Sequence, residues 1–345
     1  MKKLIDKLSQ NHRLDRDELA LLIDGRNEEL AEYLFQKARE TRHRHYGHDI
    51  FVRGLIEISN CCQNDCLYCG IRRSNHKATR YRLTSDEILE CCSAGYQLGF
   101  RTFVLQGGED LSFTDDKIVA LIREIKQRFP DCAVTLSIGE KSHESYLRYF
   151  EAGADRYLLR HETANAAHYA QLHPAEMSHA RRMDCLRSLK AIGYQTGTGF
   201  MVGSPFQTTD NIVEDLLFMA DFKPEMVGIG PFIPHHDTPF AQQPGGTVEL
   251  TLYLLAIIRL LLPKVLLPAT TALGTIDPDG REKGILAGAN VIMPNLSPQS
   301  VRQKYMIYDN KLSSGLEAAE YLNQLKETMQ SIGYQIIESR GDAIR

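Results

Sequence analysis

From about residue 50 onward, short β-branched or apolar runs alternate with longer amphipathic segments, and this alternation is what most limits the folds open to the chain. The strand-like runs are 54–59, 102–106, 133–137, 156–159, 195–201, 226–229, 265–267 and 290–293. The segments between them include 86–98, 115–129, 144–152, 181–192, 211–221, 248–262 and 281–287. Thr84 followed by Glu87 is a capping box that starts the first of these helices. Eight strands alternating with helices over roughly 250 residues predict a complete parallel (β/α)8 barrel of the TIM type. A doubly wound open sheet is the structural alternative. Residues 1–50 are charged and helical in pattern, with no strand-like run, and form an N-terminal helical lead-in. The barrel then covers residues 51–310. Residues 311–345 supply a C-terminal helix, read as one element over 315–332, and a tail that packs on the barrel.

Composition excludes several classes. The 345 residues carry a formal net charge of −4, so nothing argues generally for a nucleic-acid or anionic-membrane surface. Asp6, His12, Arg13 and Asp15 interrupt any signal-peptide core. The most apolar stretch, 250–268, is broken by Arg259, Pro263 and Lys264, and reads as a buried helix followed by a strand. The expectation is a soluble cytoplasmic protein with no membrane or nucleic-acid partner. Four of the eight cysteines fall between positions 61 and 69, and none lies beyond Cys185. That crowding points to a metal or redox site in a reducing compartment, not to a disulfide scaffold.

In a barrel of this kind the active site lies at the C-terminal ends of the strands. Those ends carry Asn60-Cys61-Cys62, Gln106-Gly107-Gly108-Glu109-Asp110, Ser137 with Gly139-Glu140, Arg160-His161-Glu162, Gly203-Ser204-Pro205, Pro231, Thr270-Thr271 and Pro294-Asn295. A barrel used only as a spacer would not need this polar set. Cys62, Cys66 and Cys69 form a CxxxCxxC spacing. Three thiolates on one tight loop can hold three irons of a 4Fe-4S cluster and leave the fourth iron open to a small molecule. On spacing alone two alternatives stand: a closed zinc site using Cys61 as fourth ligand, and a thioredoxin-like Cys66/Cys69 pair. Cys61, Cys91, Cys92, Cys132 and Cys185 read as packing residues. Adjacent His235 and His236 suggest a metal site, although histidines side by side on a loop are usually solvated.

The cysteine spacing at the end of the first strand, with Tyr68 before the last cysteine, resembles the radical S-adenosylmethionine superfamily. Gly107-Gly108-Glu109, one strand later, resembles that superfamily's glycine-rich motif for the methionine amino group, where glycines let backbone approach a ligand. The blocks CLYCGIRR from Cys66, LQGGED from Leu105, RYLLRHET from Arg156, MVGIGPFIPH from Met226 and PATTA from Pro268 resemble the HydE family of FeFe-hydrogenase maturases over residues 50–310. Methylornithine synthase and biotin synthase share the barrel and the cysteine loop.

The resemblance implies one 4Fe-4S cluster ligated by Cys62, Cys66 and Cys69. It also implies bound S-adenosylmethionine, reductive cleavage to a 5′-deoxyadenosyl radical, and action on a cysteine-bound iron complex carrying carbon monoxide and cyanide. Tyr68, Gly107, Gly108, Glu109, Glu162, Arg182 and Met201 would contact the cofactor, Glu162 by accepting from an ammonium or ribose hydroxyl and Arg182 by pairing with the methionine carboxylate. Thr135, Ser137, Arg160, Thr270, Thr271 and Tyr305 would line the substrate end. Arg160 and Glu162 alternate along a strand and so face one side; on the outer face they would be packing residues, and Thr270-Thr271 could be barrel filler. Partner maturases and an electron donor are implied as well.

Two features depart from the family. Residues 308–315 hold no cysteine where some HydE proteins bind an auxiliary cluster, so no second cysteine-ligated cluster is expected. Phe206 stands where related enzymes usually have glycine. The competing functions are a radical enzyme acting on an amino acid, as methylornithine synthase and biotin synthase suggest, and a non-catalytic iron–sulfur carrier.

Overall fold

The computed structural model describes residues 1–344, the side chain of Leu316 excepted. Three helices come first, Lys2–Asn11, Arg16–Asp24 and Glu28–Tyr46. Asp15 and Glu18 form a capping box on the second, and Asn27 caps the third. They pack on the helix Val248–Leu261, where Tyr253 donates to the Leu22 carbonyl and His12 Nδ1 lies 2.8 Å from the Leu260 carbonyl. That explains why 248–261 is apolar all round: it lies between the barrel and the N-terminal helices, and from Thr251 to Leu261 every residue is buried. No helix among the described residues is long and apolar enough to cross a membrane.

The strands in chain order are β1 Asp49–Val52, β2 Gly54–Ser59, β3 Thr102–Gly107, β4 Ala133–Ser137, β5 Arg156–Leu158, β6 Gln195–Thr198, β7 Met201–Val202, β8 Met226–Val227, β9 Gly230–Pro231, β10 Val291–Ile292 and β11 Gln335–Ile337. Six of them run β2-β3-β4-β5-β6-β8, all parallel. Single bridges complete the ring: Met226 to Leu266, Pro268 to Val291, and Asn295 back to Leu55. The Leu55 amide donates to Pro294 and the Leu296 amide to the Leu55 carbonyl, which ties the last turn of the ring to the first strand. Ile56, Ile58, Phe103, Leu105, Val134, Leu136 and Tyr157 point outward into the helix-covered core. Their neighbours face the lumen, so the register aligns Glu57, Gln106 and Ser137 in one polar layer.

Several segments differ from the sequence-based expectation. The first 50 residues do contain the start of a strand. β1 pairs in parallel with β10 and β11 in a small sheet, and the Tyr46–Phe51–Val291 cluster packs on it. The run 195–201 breaks after Thr198 at Gly199, whose φ is +149 and whose missing Cβ (it would lie 2.0 Å from the Gly228 carbonyl oxygen) admits the close approach; pairing resumes at β7 with β9. Thr271 starts the helix Thr271–Ile276 and does not extend a strand. The predicted single helix over 315–332 is two 3-10 turns, Gly315–Glu317 and Ala319–Tyr321, followed by a helix from Leu322 to Ser331. The interruption falls where Ala318 pairs with Asn295. The capping box at Thr84 and Glu87 is present as expected.

Candidate active site at the mouth of the barrel

The cysteine loop leaves β2 and is held by its own charged residues. Arg80 donates to four loop carbonyls, those of Asn60, Ile71, Arg72 and Asn75. The Asp65 carboxylate accepts from Arg72 Nε at 2.7 Å, the Ser74 amide and the Ser74 hydroxyl, and these bonds hold its pKa well below the usual carboxylate range despite burial. Such side-chain bonds to a loop backbone have no periodicity, so no sequence pattern announced them.

All eight cysteines are free thiols, and Cys91, Cys92, Cys132 and Cys185 are buried in the core. Cys61 turns toward the Tyr81 carbonyl at 3.8 Å, on its own contact apart from Cys62. Burial pushes the Cys62, Cys66 and Cys69 thiols up, Cys69 to about 12, so forming thiolates there depends on a cation arriving. The three thiols act electrostatically on one another, so the loop brings them to one place. Three such soft donors can hold three irons of a cluster.

The Gly107–Glu109 turn lies against this loop. A Cβ on Gly108 would meet the Cys61 carbonyl oxygen at 2.3 Å and Cys62 Cβ at 2.8 Å. Its close approach is therefore to the cysteine loop's own backbone, whereas the sequence suggested a ligand. Glu109 is buried and accepts from the Glu140 amide at 2.7 Å and from Gln63. Glu140 then faces Arg182, with Oε1 2.8 Å from Arg182 Nε, and Arg181 at 3.1 Å. The sequence reading left Arg182 free for a carboxylate; in the structure it faces Glu140, a partner 42 positions away in sequence. Arg182 Nε is taken up by this ion pair, and one terminal nitrogen donates to the Arg160 carbonyl at 3.4 Å.

Arg160 and Glu162 face the lumen, while Leu159 and His161 between and beside them pack outward. Arg160 Nε donates to Glu162 Oε1 at 3.0 Å. Glu162 has φ +65, its amide bonds to the Gly199 carbonyl, and its Oε2 lies 3.0 Å from a terminal nitrogen of Arg160, so one guanidinium holds both carboxylate oxygens. Buried hydroxyl oxygens of Thr135 and Thr270 are without partners. Thr271 differs: its hydroxyl donates to Glu317 at 2.8 Å. Ser137 lies in the polar layer with Gln106, whose amide reaches toward Tyr305 at 3.5 Å. In the same layer Lys311 Nζ lies 2.8 Å from Glu57, and Asn295 donates to Glu57 at 2.9 Å; neither partner was foreseen.

Met201 packs with Leu172, Phe232 and Phe240, and Leu67 and Tyr68 cover this cluster. Tyr68 bonds to His173 Nε2 at 3.1 Å, and His173 Nδ1 to the Tyr169 carbonyl; burial pushes His173 down to about 4. Phe206 has φ +65, the conformation that glycine takes at no steric cost, and its exposed ring sits edge-on to Phe240. His235 is buried against Gly70, unlike the solvated histidine the sequence suggested, while His236 is exposed. Their stacked rings and Asp309 bring ligand atoms within 4.8 Å of one another. Parallel rings aim their nitrogens side by side, though, and His235 Nδ1 already accepts from the Asp237 amide.

The mouth thus combines three soft donors, buried carboxylates and guanidiniums paired with one another, and an apolar shelf suited to an aromatic base. That set fits a thiolate-held iron–sulfur cluster with a charged nucleoside ligand beside it. The Radical SAM superfamily profile matches residues 56–219. The "[FeFe] hydrogenase maturase subunit HydE" of Thermotoga maritima is 46% identical over 311 residues, covering 90% of this chain and 88% of that protein. The 3-methylornithine synthase of Methanosarcina acetivorans is 30% identical, covering 89% and 87%. The crystal structure of methylornithine synthase (PylB) superposes with a TM-score of 0.86 at 26% identity, over 97% of each chain. Enzymes of the superfamily use a 4Fe-4S cluster and S-adenosylmethionine. On this sequence identity and coverage, the chain belongs to the HydE family of radical S-adenosylmethionine enzymes.

Proposed function

We propose that this enzyme matures the FeFe-hydrogenase cofactor by acting on a cysteine-bound iron complex carrying carbon monoxide and cyanide, and that it does so in the cytoplasm with partner maturases and an electron donor. One cysteine-ligated 4Fe-4S cluster would be held by Cys62, Cys66 and Cys69, with no second one. The observation that carries this reading is the gathering of three free thiols on an Arg80-braced loop directly against the Gly107–Glu109 turn. When bound, the cluster and S-adenosylmethionine supply reductive cleavage to a 5′-deoxyadenosyl radical.

The chain's own residues bind, orient and shield. Glu162, its carboxylate clasped by Arg160, would accept from the ligand's ammonium or a ribose hydroxyl through its remaining lone pairs. Arg182, steadied by Glu140, donates to the methionine carboxylate. Glu109 and the Gly107-Gly108 backbone would lie next to the amino group. Tyr68 and Met201 form the apolar shelf for adenine. Deeper in the lumen, Thr135, Ser137, Thr270 and Tyr305 supply hydroxyls to the substrate, with Thr271 positioned beside them through Glu317. The barrel wall excludes water from a radical that would otherwise be quenched.

The test is iron, sulfide and product analysis. Reconstituted protein should hold about four irons and four sulfides per chain. Given reductant and S-adenosylmethionine, it should consume a cysteine-bound iron carbonyl cyanide complex. Methylornithine from lysine, or about eight irons per chain, would contradict the reading.

A further inference from the structure

Glu162 presents a puzzle of local energetics. A non-glycine residue at φ +65 is strained and persists only where the surroundings over-determine it. A turn with no chemical duty would take glycine or asparagine there. What holds this one lies on the far side of the barrel wall.

Asp215, on the helix Thr209–Phe222, is fully buried. Its Oδ1 lies 3.2 Å from His161 Nε2 and accepts from the Ala164 amide at 2.5 Å. One oxygen therefore bridges the residue before Glu162 and the residue two after it. His161 is also fully buried, and its Nδ1 accepts from the Gly199 amide at 3.3 Å and lies 2.7 Å from the Thr198 hydroxyl. A nitrogen that accepts from an amide carries no hydrogen, so the ring hydrogen sits on Nε2 and points at Asp215. The Gly199 carbonyl in turn takes the Glu162 amide. Phe218 packs edge-on against the imidazole, 4.9 Å between centroids, and closes the pocket. Farther along the same turn, Asn165 donates to Glu214 and the Thr163 carbonyl bonds to His179. The backbone around Glu162 is fastened from outside, while its carboxylate faces the lumen beside Arg160.

We infer that Asp215 and His161 are positioning residues for the cofactor site: they staple the 161–164 turn so that Glu162 is presented to S-adenosylmethionine in its left-handed conformation. This rests on the reading of Glu162 as a cofactor contact. Neither residue touches the lumen, so each acts only through Glu162.

The experiment compares Asp215→Ala with Asp215→Asn, whose amide oxygen can accept the same two bonds. S-adenosylmethionine affinity is measured on cluster-loaded protein, and hydrogen exchange over 160–165 on the unloaded chain. Asp215→Ala should bind roughly tenfold more weakly, the scale of one lost charge-assisted hydrogen bond. It should also exchange faster over 160–165, whereas Asp215→Asn should stay near wild type in both. Glu162→Ala should weaken binding, and adding Asp215→Ala to it should weaken it no further, because the two act as one unit. A general structural role would instead give additive losses, and that outcome overturns the inference, as does unchanged affinity in Asp215→Ala. Wild-type affinity in Glu162→Ala alone overturns the underlying assignment of Glu162, and the staple's purpose falls with it.

Discussion

The two ends of the barrel solve opposite problems with similar side chains. At the closed end, Arg156 is fully buried and its donors are taken by the Thr102 hydroxyl, the Arg340 carbonyl and the Asp342 carboxylate. Arg340 pairs with Asp155, Gln195 donates to Asp342, and the Ala343 amide returns to Gln195. The C-terminal tail is thus a polar plug whose groups are matched to one another. Arg53 beside it bonds to Met226 sulfur and the Gly341 carbonyl, and keeps only Nε open. At the mouth, Arg160, Glu162, Arg182 and Glu140 are the same residue types. There, however, the Thr135 and Thr270 hydroxyls remain without hydrogen bonds, and Glu162 is held in a costly backbone conformation. The plug's charges are matched among themselves, whereas the mouth keeps unmatched hydroxyls beside a strained turn that carries a carboxylate.

Substitutions should separate the ends. Arg156→Ala leaves the plug without its central donor and should destabilise by about 3 kcal/mol in denaturant titration, with S-adenosylmethionine affinity unchanged; a large loss of affinity would erase the distinction. An intermediate effect is expected from pH. His173 is pushed by burial to about 4, below the unfolded value of about 6.5, so only the unfolded chain takes up that proton between these pH values. Its contribution is complete above pH 6.5 and falls as pH drops toward 4, reaching about 2 kcal/mol lost at pH 5. His173→Gln should flatten this slope relative to wild type, and an identical slope would refute it. Smaller still, Thr135→Ala removes a hydroxyl that bonds to nothing in the protein, so stability should move by less than about 1 kcal/mol while turnover falls. Smallest of all, Phe206→Gly relieves a left-handed phenylalanine whose ring is half exposed, and should raise stability by at most about 1 kcal/mol in the same titration; a clear loss would mean that the contact with Phe240 outweighs the strain.

The two ends were also unequally legible in the sequence. The mouth was largely readable because strand ends collect polar residues and the cysteine spacing is compact. Even there Lys311, Asp215 and Arg80 escaped notice, as did the pairing of Glu140 with Arg182, since their partners are tens to hundreds of positions away or are backbone carbonyls. The closed end was almost invisible. β1 is four residues long and joins β2 through Arg53 with no turn signal, and β11 pairs with it across nearly the whole chain. The tail that holds Asp342 has no periodicity at all, because it works through carbonyls and charges. The run 315–332 misled because its apolar spacing continues through Ala318, where pairing to Asn295 breaks the helix.

The central claim is that Cys62, Cys66 and Cys69 bring a cluster and S-adenosylmethionine together at the mouth. It is tested most directly by measuring 5′-deoxyadenosine formed under reducing conditions by wild-type protein and by Cys66→Ala, both subjected to the same iron–sulfur reconstitution. The account predicts steady formation by the wild type and none by the variant, with the variant's thermal stability retained. Equal formation by Cys66→Ala would contradict it.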